Sequence, residues 1–182
     1  MKLFSRIAIL MTICAALSMA SATSISRGEV DHEVFLGEYV FTPRNLDTRG
    51  ETAAYRLWFI PEKDRGFSLI YPQPLTLGFE IRGGYLREPE DDWEASLMID
   101  LKYEFNLSDN ITIYFLGSTG GNYSGIDYHK VATNFNFTSR GSLGVCIYQA
   151  ILQASYEHRS NAGIEQPNRG IDLVTVSVGY RF

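Results

Sequence analysis

The sequence predicts an all-β protein, an eight-stranded antiparallel transmembrane β-barrel of the bacterial outer membrane. Three observations predict it: an apolar segment near the N-terminus, eight stretches in which apolar and polar residues alternate, and a final strand that ends on Phe182. The chain has 182 residues, of which 45% are hydrophobic and 13% aromatic. This length suits one barrel domain and leaves no room for two sizeable cores.

The first 22 residues have the composition of a secretory signal peptide. Lys2 and Arg6 precede an apolar run over 7–17, and small residues before and at Ala22 offer a cleavage site. The run is shorter than the roughly 20 apolar residues that span a bilayer as a helix. We therefore expect export from the cytoplasm, with residues 23–182 forming the barrel.

Composition excludes several classes of function. A net charge of −5 argues against a nucleic-acid partner, which would need a basic surface. Cys14 lies in the expected signal, so Cys146 has no disulfide partner in the mature chain, and a cysteine zinc site is excluded. His32 and His129 are scattered and form no ligand cluster. We predict no metal and no other cofactor.

Alternation with a period of two recurs after the signal. From Leu77 to Tyr85 the odd positions carry the apolar residues, while Glu80 and Arg82 lie between them. Stretches of this kind predict eight strands, at about 33–42, 52–61, 76–87, 94–106, 110–118, 131–146, 148–160 and 171–182.

The alternation fits either a soluble β-sandwich or a membrane barrel. The polar faces carry both charges at close spacing, which suits an enclosed interior, and the strands match the roughly 9–11 residues that cross a bilayer at a tilt. The last strand places five apolar residues on one face: Val174, Val176, Val178, Tyr180 and Phe182. A C-terminal aromatic resembles the signal read by the outer-membrane assembly machinery. We therefore expect that machinery as a partner, an outer-membrane location, and a monomer or homodimer.

Closure of the barrel with periplasmic termini predicts which connections lie on each side. Extracellular connections are expected near 43–51, 88–93, 119–130 and 160–170, and periplasmic turns near 61–75, 107–109 and 147. The segment Gly117–Tyr123 has the composition of a flexible surface loop. The 61–75 segment is long for a periplasmic turn.

Three residues with catalytic potential lie where strands seven and eight meet the extracellular side. His158 and Ser160 share the apolar face of strand seven, and Asp172 shares the apolar face of strand eight. We therefore expect all three to point toward lipid. Two residues apart on a strand, the histidine and serine lie about 7 Å apart at Cα, and a facing carboxylate would orient the imidazole. A serine, a histidine and a carboxylate in this arrangement are the groups that enzymes use to transfer acyl chains.

Each residue alone has a simpler explanation. An outward histidine is usually an interfacial residue, a serine at a strand end a turn former, and an aspartate after a loop a cap. Their conjunction favours function, because ionisable residues on a lipid-facing surface are costly. The same faces offer an apolar groove for acyl chains, lined by Leu152, Ala154, Tyr156, Val174 and Val176.

The run His-Arg-Ser-Asn-Ala-Gly over 158–163, followed by Gln166-Pro167-Asn168, Gly170 and Asp172, closely resembles the active-site segment of the PagL-type lipid A 3-O-deacylases. A looser similarity covers most of the mature chain. The resemblance implies a serine esterase that removes the ester-linked 3-hydroxyacyl chain at the 3-position of lipid A, with lipopolysaccharide of the outer leaflet as substrate.

The resemblance also implies a role for each site residue. Ser160 would be the nucleophile, His158 the general base and Asp172 the acidic partner. Asn161 and Asn168 would position the loop, and Asn168 with the backbone N–H of Gly163 would form the oxyanion hole. The family member compared has Glu in place of Asp172, so we expect a longer contact to the imidazole, or a strand adjustment, and reduced activity.

Two alternatives remain open from the sequence. The same barrel could be a non-catalytic outer-membrane surface or adhesion protein, because small barrels serve unrelated functions. Such a protein would not need the group of His158, Ser160 and Asp172. An enzyme acting on another ester lipid, such as a phospholipid, is the third reading, and analysis of the products separates it from the first.

Overall fold

The computed structural model describes residues 30–41, 49–59, 75–88, 91–125 and 133–182. The predicted signal peptide (1–22) and nearly all of 61–75 lie outside the described residues. The described residues form eight strands, in agreement with the prediction: β1 (Val30–Phe41), β2 (Arg49–Phe59), β3 (Thr76–Glu88), β4 (Asp92–Ser108), β5 (Ile111–Ser124), β6 (Phe135–Ile147), β7 (Ala150–Ser160) and β8 (Ile171–Arg181).

The strands close into an antiparallel barrel in chain order, with β1 pairing β8. This confirms the predicted fold. Within the described residues there is no helix long and apolar enough to cross a membrane.

Alternation along each strand separates an outer apolar surface from an enclosed polar interior. On β4, Leu97 is 60% exposed on the outer surface, whereas the adjacent Met98 is fully buried. The charged residues Asp100 and Lys102 share the inward face with Met98 and are also buried. Successive side chains of a strand point to opposite faces, so the period seen in the sequence becomes the inside and outside of the barrel.

Ion pairs between strands fill the middle of the barrel. Arg140 binds Glu80 through two bonds, Nη1–Oε1 at 2.7 Å and Nη2–Oε2 at 2.8 Å. Arg56 Nε donates to the same carboxylate at 2.7 Å. Because buried charges are costly unless paired, this network explains why both signs alternate so closely on the inward faces of the strands.

The two ends of the barrel follow from the turns. The backbone N–H of Tyr148 donates to Asn110 O at 2.8 Å, and that of Arg181 donates to Gln149 O at 2.9 Å. The β4–β5 and β6–β7 turns therefore lie at the same end as the C-terminus. The β7–β8 connection, residues 161–170, lies at the opposite end.

Several predicted boundaries are wrong. Gly117–Tyr123 is not a loop but part of β5, which continues to Ser124 and pairs with both β4 and β6. A Cβ atom on Gly120 would lie 2.0 Å from Leu97 O, so close approach of the β4 backbone requires glycine there. The short turns fall at Asp109–Asn110 and Tyr148–Gln149, one or two residues later than predicted.

Candidate active site

The ladder between β7 and β8 brings His158 and Asp172 together as direct cross-strand partners. Their side chains therefore lie on the same face, and Nδ1 of the imidazole is 2.7 Å from Asp172 Oδ1. The His158 side chain is 42% exposed on the outer surface, while the Asp172 side chain is only 4% exposed. Asp172 is thus on the predicted face but is shielded from the surroundings.

Two serines flank His158 on the outer surface. Ser160 lies two residues further along β7, and Ser139 lies directly opposite His158 on β6. Ser139 is exposed, and the sequence alone does not indicate it, because only the pairing of β6 with β7 places it beside the histidine.

The tilt of the imidazole distinguishes the two serines. Asp172 of β8 holds Nδ1, and a Cβ atom built on Gly170 would lie 2.5 Å from His158 Cε1 and 3.1 Å from Nε2. The ring therefore leans toward β8, away from Ser139 on β6.

The loop between β7 and β8 is held by its own asparagines. Asn168 Oδ1 accepts the backbone N–H of Asn161 at 3.1 Å, and Asn161 Nδ2 donates to Glu165 O at 2.9 Å. The backbone N–H of Gly163 donates to Asn161 Oδ1 at 2.9 Å. These bonds fix the chain immediately after Ser160.

The same bonds bear on the predicted oxyanion donors. The carbonyl end of Asn168 is engaged, which leaves its Nδ2 amide as the end with hydrogens to donate. The Gly163 N–H is already engaged by Asn161, so it reaches an oxyanion only if that side chain shifts.

Inside the barrel, the strand that carries the candidate site is anchored by Arg159. This residue lies between His158 and Ser160 in sequence and points inward, where it is fully buried. Its guanidinium binds Glu94, Glu157 and the hydroxyl of Tyr39. The contacts tie β7 to β1 and β4, so the backbone of the site rests on a cross-barrel network.

The outer surface below the site is apolar, as predicted. Leu152, Ala154, Tyr156 and Val176 are exposed, and Val174 is half-buried. No group of three or more His, Cys, Asp or Glu side chains that could hold a metal ion occurs in the described part of the chain.

The profile of one protein family, described as lipid A 3-O-deacylase (PagL), matches residues 52–181. The match begins within β2, runs to the end of β8 and contains the whole candidate site. The chain belongs to the PagL lipid A 3-O-deacylase family. No curated protein sequence matches it.

Solved structures agree with this assignment at the level of the fold. The crystal structure of the outer-membrane enzyme PagL superposes with a TM-score of 0.62 at 20% identity, covering 82% of this chain and 98% of that one. Neisserial surface protein A gives a TM-score of 0.55 at 12% identity, covering 84% and 94%. The fold is therefore that of outer-membrane β-barrels, and the fold alone does not separate a PagL enzyme from a surface protein.

One of the two alternatives expected for the acidic residue of this PagL family member is wrong. The carboxylate of Asp172, one methylene shorter than Glu, was expected to make a longer contact to His158 or to need a strand adjustment, and the contact is not longer. The Nδ1–Oδ1 distance of 2.7 Å is that of a good charge-assisted hydrogen bond. Direct cross-strand pairing supplies the reach that the side chain lacks.

Proposed function

We propose that this protein hydrolyses the ester-linked 3-hydroxyacyl chain at the 3-position of lipid A, with Ser160 as nucleophile, His158 as general base and Asp172 as its acidic partner. The observation that carries the proposal is the 2.7 Å bond between His158 Nδ1 and Asp172 Oδ1 on the outer surface, with Ser160 two residues away. Family membership supplies the substrate class.

In the acylation step, Ser160 Oγ attacks the ester carbonyl while its proton passes to Nε2 of His158. Asp172 holds Nδ1–H, which selects the tautomer with a basic Nε2, and then stabilises the imidazolium. The tetrahedral intermediate collapses when the imidazolium returns the proton to the sugar oxygen. Lipid A leaves with a free 3-hydroxyl, and the acyl chain stays on Ser160.

In the second step, water replaces the sugar. His158 takes a proton from the water molecule, which attacks the acyl-serine and releases the 3-hydroxy fatty acid. The imidazolium then returns that proton to Ser160 Oγ. Water is available because the site lies at the end of the barrel, beside the 161–170 connection.

The oxyanion of each intermediate needs preorganised donors. We assign Asn168 Nδ2 as the first of them, because the other end of that amide is fixed by the backbone of Asn161. The backbone N–H of Gly163 is the second, and it becomes available when the side chain of Asn161 moves from its present bond.

The location of the site fits a lipid substrate. His158 and Ser160 lie on the outer surface, at the barrel end opposite the C-terminus, so a periplasmic C-terminus places them at the outer leaflet. An acyl chain can lie against the apolar side chains of β7 and β8 without leaving the bilayer, those side chains being Leu152, Ala154, Tyr156, Val174 and Val176.

The matched serines of β6 and β7 test the nucleophile. Purified protein in detergent is incubated with lipid A, and release of the 3-hydroxy fatty acid is measured by chromatography. Ser160→Ala is expected to abolish release, whereas Ser139→Ala, on the other side of His158, retains it. Release by Ser160→Ala, or its loss in Ser139→Ala, would contradict the assignment. Release only from phospholipid would contradict the substrate.

A further inference from the structure

Gly170 occupies a special backbone position where the loop meets β8. Its φ is +69°, in the left-handed region that glycine adopts without strain. It is buried, although it directly follows the exposed Arg169. Gly163, in the same loop, also has a positive φ, of 81°, but a Cβ atom there would meet nothing within 4 Å. Backbone conformation alone therefore does not distinguish Gly170; its surroundings do.

The imidazole of His158 occupies the space beside Gly170. A Cβ atom at this position would lie 2.5 Å from His158 Cε1, 3.1 Å from Nε2 and 3.3 Å from Arg159 O. Distances below 3.0 Å require something to move, and the backbone carbonyl limits movement of the loop. The imidazole ring would therefore have to move, although its Nδ1 is held by Asp172, two residues after Gly170.

We propose that Gly170 is a positioning residue for the reaction: its missing side chain lets the His158 imidazole lie against the start of β8, with Nδ1 on Asp172 and Nε2 set for Ser160. The inference rests on the proposed function. Gly170 contacts no reacting atom of the substrate and acts through the orientation of the base. Any side chain at this position displaces the ring from the site that Asp172 and Ser160 share.

Two substitutions separate the effect of an added side chain from the effect of the backbone conformation. Gly170→Ala adds a Cβ atom and strains the backbone. Gly170→Asn adds the same Cβ atom but tolerates the left-handed region far better. We expect both to lower turnover of lipid A by about 10² or more, within the range that general-base assistance supplies. Recovery of turnover in Gly170→Asn would show that only the backbone matters and would overturn the proposal.

A lipid-facing glycine of β3 provides the control for folding. A Cβ atom on Gly83 would meet nothing within 4 Å, so Gly83→Ala is expected to keep full activity. The activity of each variant is expressed per folded barrel. The folded fraction is measured by electrophoresis, in which folded and heat-unfolded barrels migrate differently.

The reactivity of Ser160 is a readout that would not change if Gly170 had only a structural role. A fluorophosphonate reacts with an activated serine: Oγ forms a bond to phosphorus, fluoride leaves, and His158 takes the hydroxyl proton. Gly170→Ala is expected to slow this labelling when His158 is present. When His158 is already replaced by alanine, Gly170→Ala is expected to cause no further slowing. An equal slowing in both backgrounds would contradict action through the imidazole.

The same experiment distinguishes this inference from the proposed function. If the unsubstituted protein releases acyl chains and Gly170→Ala does so equally fast, the positioning role is wrong and the enzyme assignment stands. If the unsubstituted protein neither labels at Ser160 nor releases acyl chains, the assigned mechanism itself fails, and the positioning role with it.

Discussion

Replacing Asp172 with Asn removes the charge of the acidic partner while keeping the shape of the side chain. The carboxylate is almost fully buried and lies 2.7 Å from His158 Nδ1, so it contacts the imidazolium directly when the base takes its proton. An asparagine can also donate to Nδ1, which would select the tautomer without a basic Nε2. Both effects lower turnover.

The size of the loss follows from the charge separation. Two unit charges 4 Å apart interact by about 4 kcal/mol at an effective dielectric constant of 20. Because the imidazole is 42% exposed, solvent screens part of this energy, and we take roughly 2–4 kcal/mol. At 1.36 kcal/mol for each factor of ten, Asp172→Asn is expected to lower kcat by about 30- to 1,000-fold.

The assay measures kcat for release of hydroxy fatty acid from lipid A by the folded barrel. Asp172→Glu is the matched variant, since it keeps the charge and restores the residue of the family member, and it is expected to retain most of the turnover. Unchanged kcat in Asp172→Asn, or an equal loss in both variants, would refute the role assigned to the carboxylate.

Two further predictions concern the barrel. Arg159→Met removes the cation that the buried Glu94 and Glu157 share, although Glu157 keeps Arg82 at 2.7 Å. It is expected to lower the free energy of unfolding in urea by about 3–5 kcal/mol, chiefly through Glu94. A loss below about 1 kcal/mol, typical of an exposed pair, would contradict the network. Ile99→Arg places a charge on the outer surface in the middle of β4 and should cost about 2–4 kcal/mol in lipid vesicles. A neutral effect would contradict lipid exposure.

Much of the fold could be predicted because one physical rule controls it. In a barrel whose outside is apolar and inside polar, the side of every residue is set by its position in the alternation, as Leu97 and Met98 show. The glycine-rich part of β5 was predicted as a loop because glycine disfavours strands in general. At Gly120 and Gly121 it instead allows close packing, against the β4 backbone and beneath the Phe135 ring.

The site was only partly accessible from the sequence. The spacing of His158 and Ser160 on one strand indicates a shared face, and the alternation along strand eight places Asp172 on the same outer surface. The resemblance to PagL enzymes then implies the role of each residue. The positions of Ser139 and Gly170 beside the imidazole depend on how β6, β7 and β8 align, and on a positive φ at Gly170. No local pattern in the sequence specifies that alignment.

Mass spectrometry of lipid A from outer membranes that contain this protein tests the central claim most directly. Fragmentation locates each acyl chain, and membranes containing the Ser160→Ala variant, with its barrel shown to be folded, provide the comparison. The proposed reaction predicts the loss of one 3-hydroxyacyl chain from the 3-position with the unsubstituted protein and intact lipid A with the variant. Loss from another position, or identical lipid A in both membranes, would contradict it.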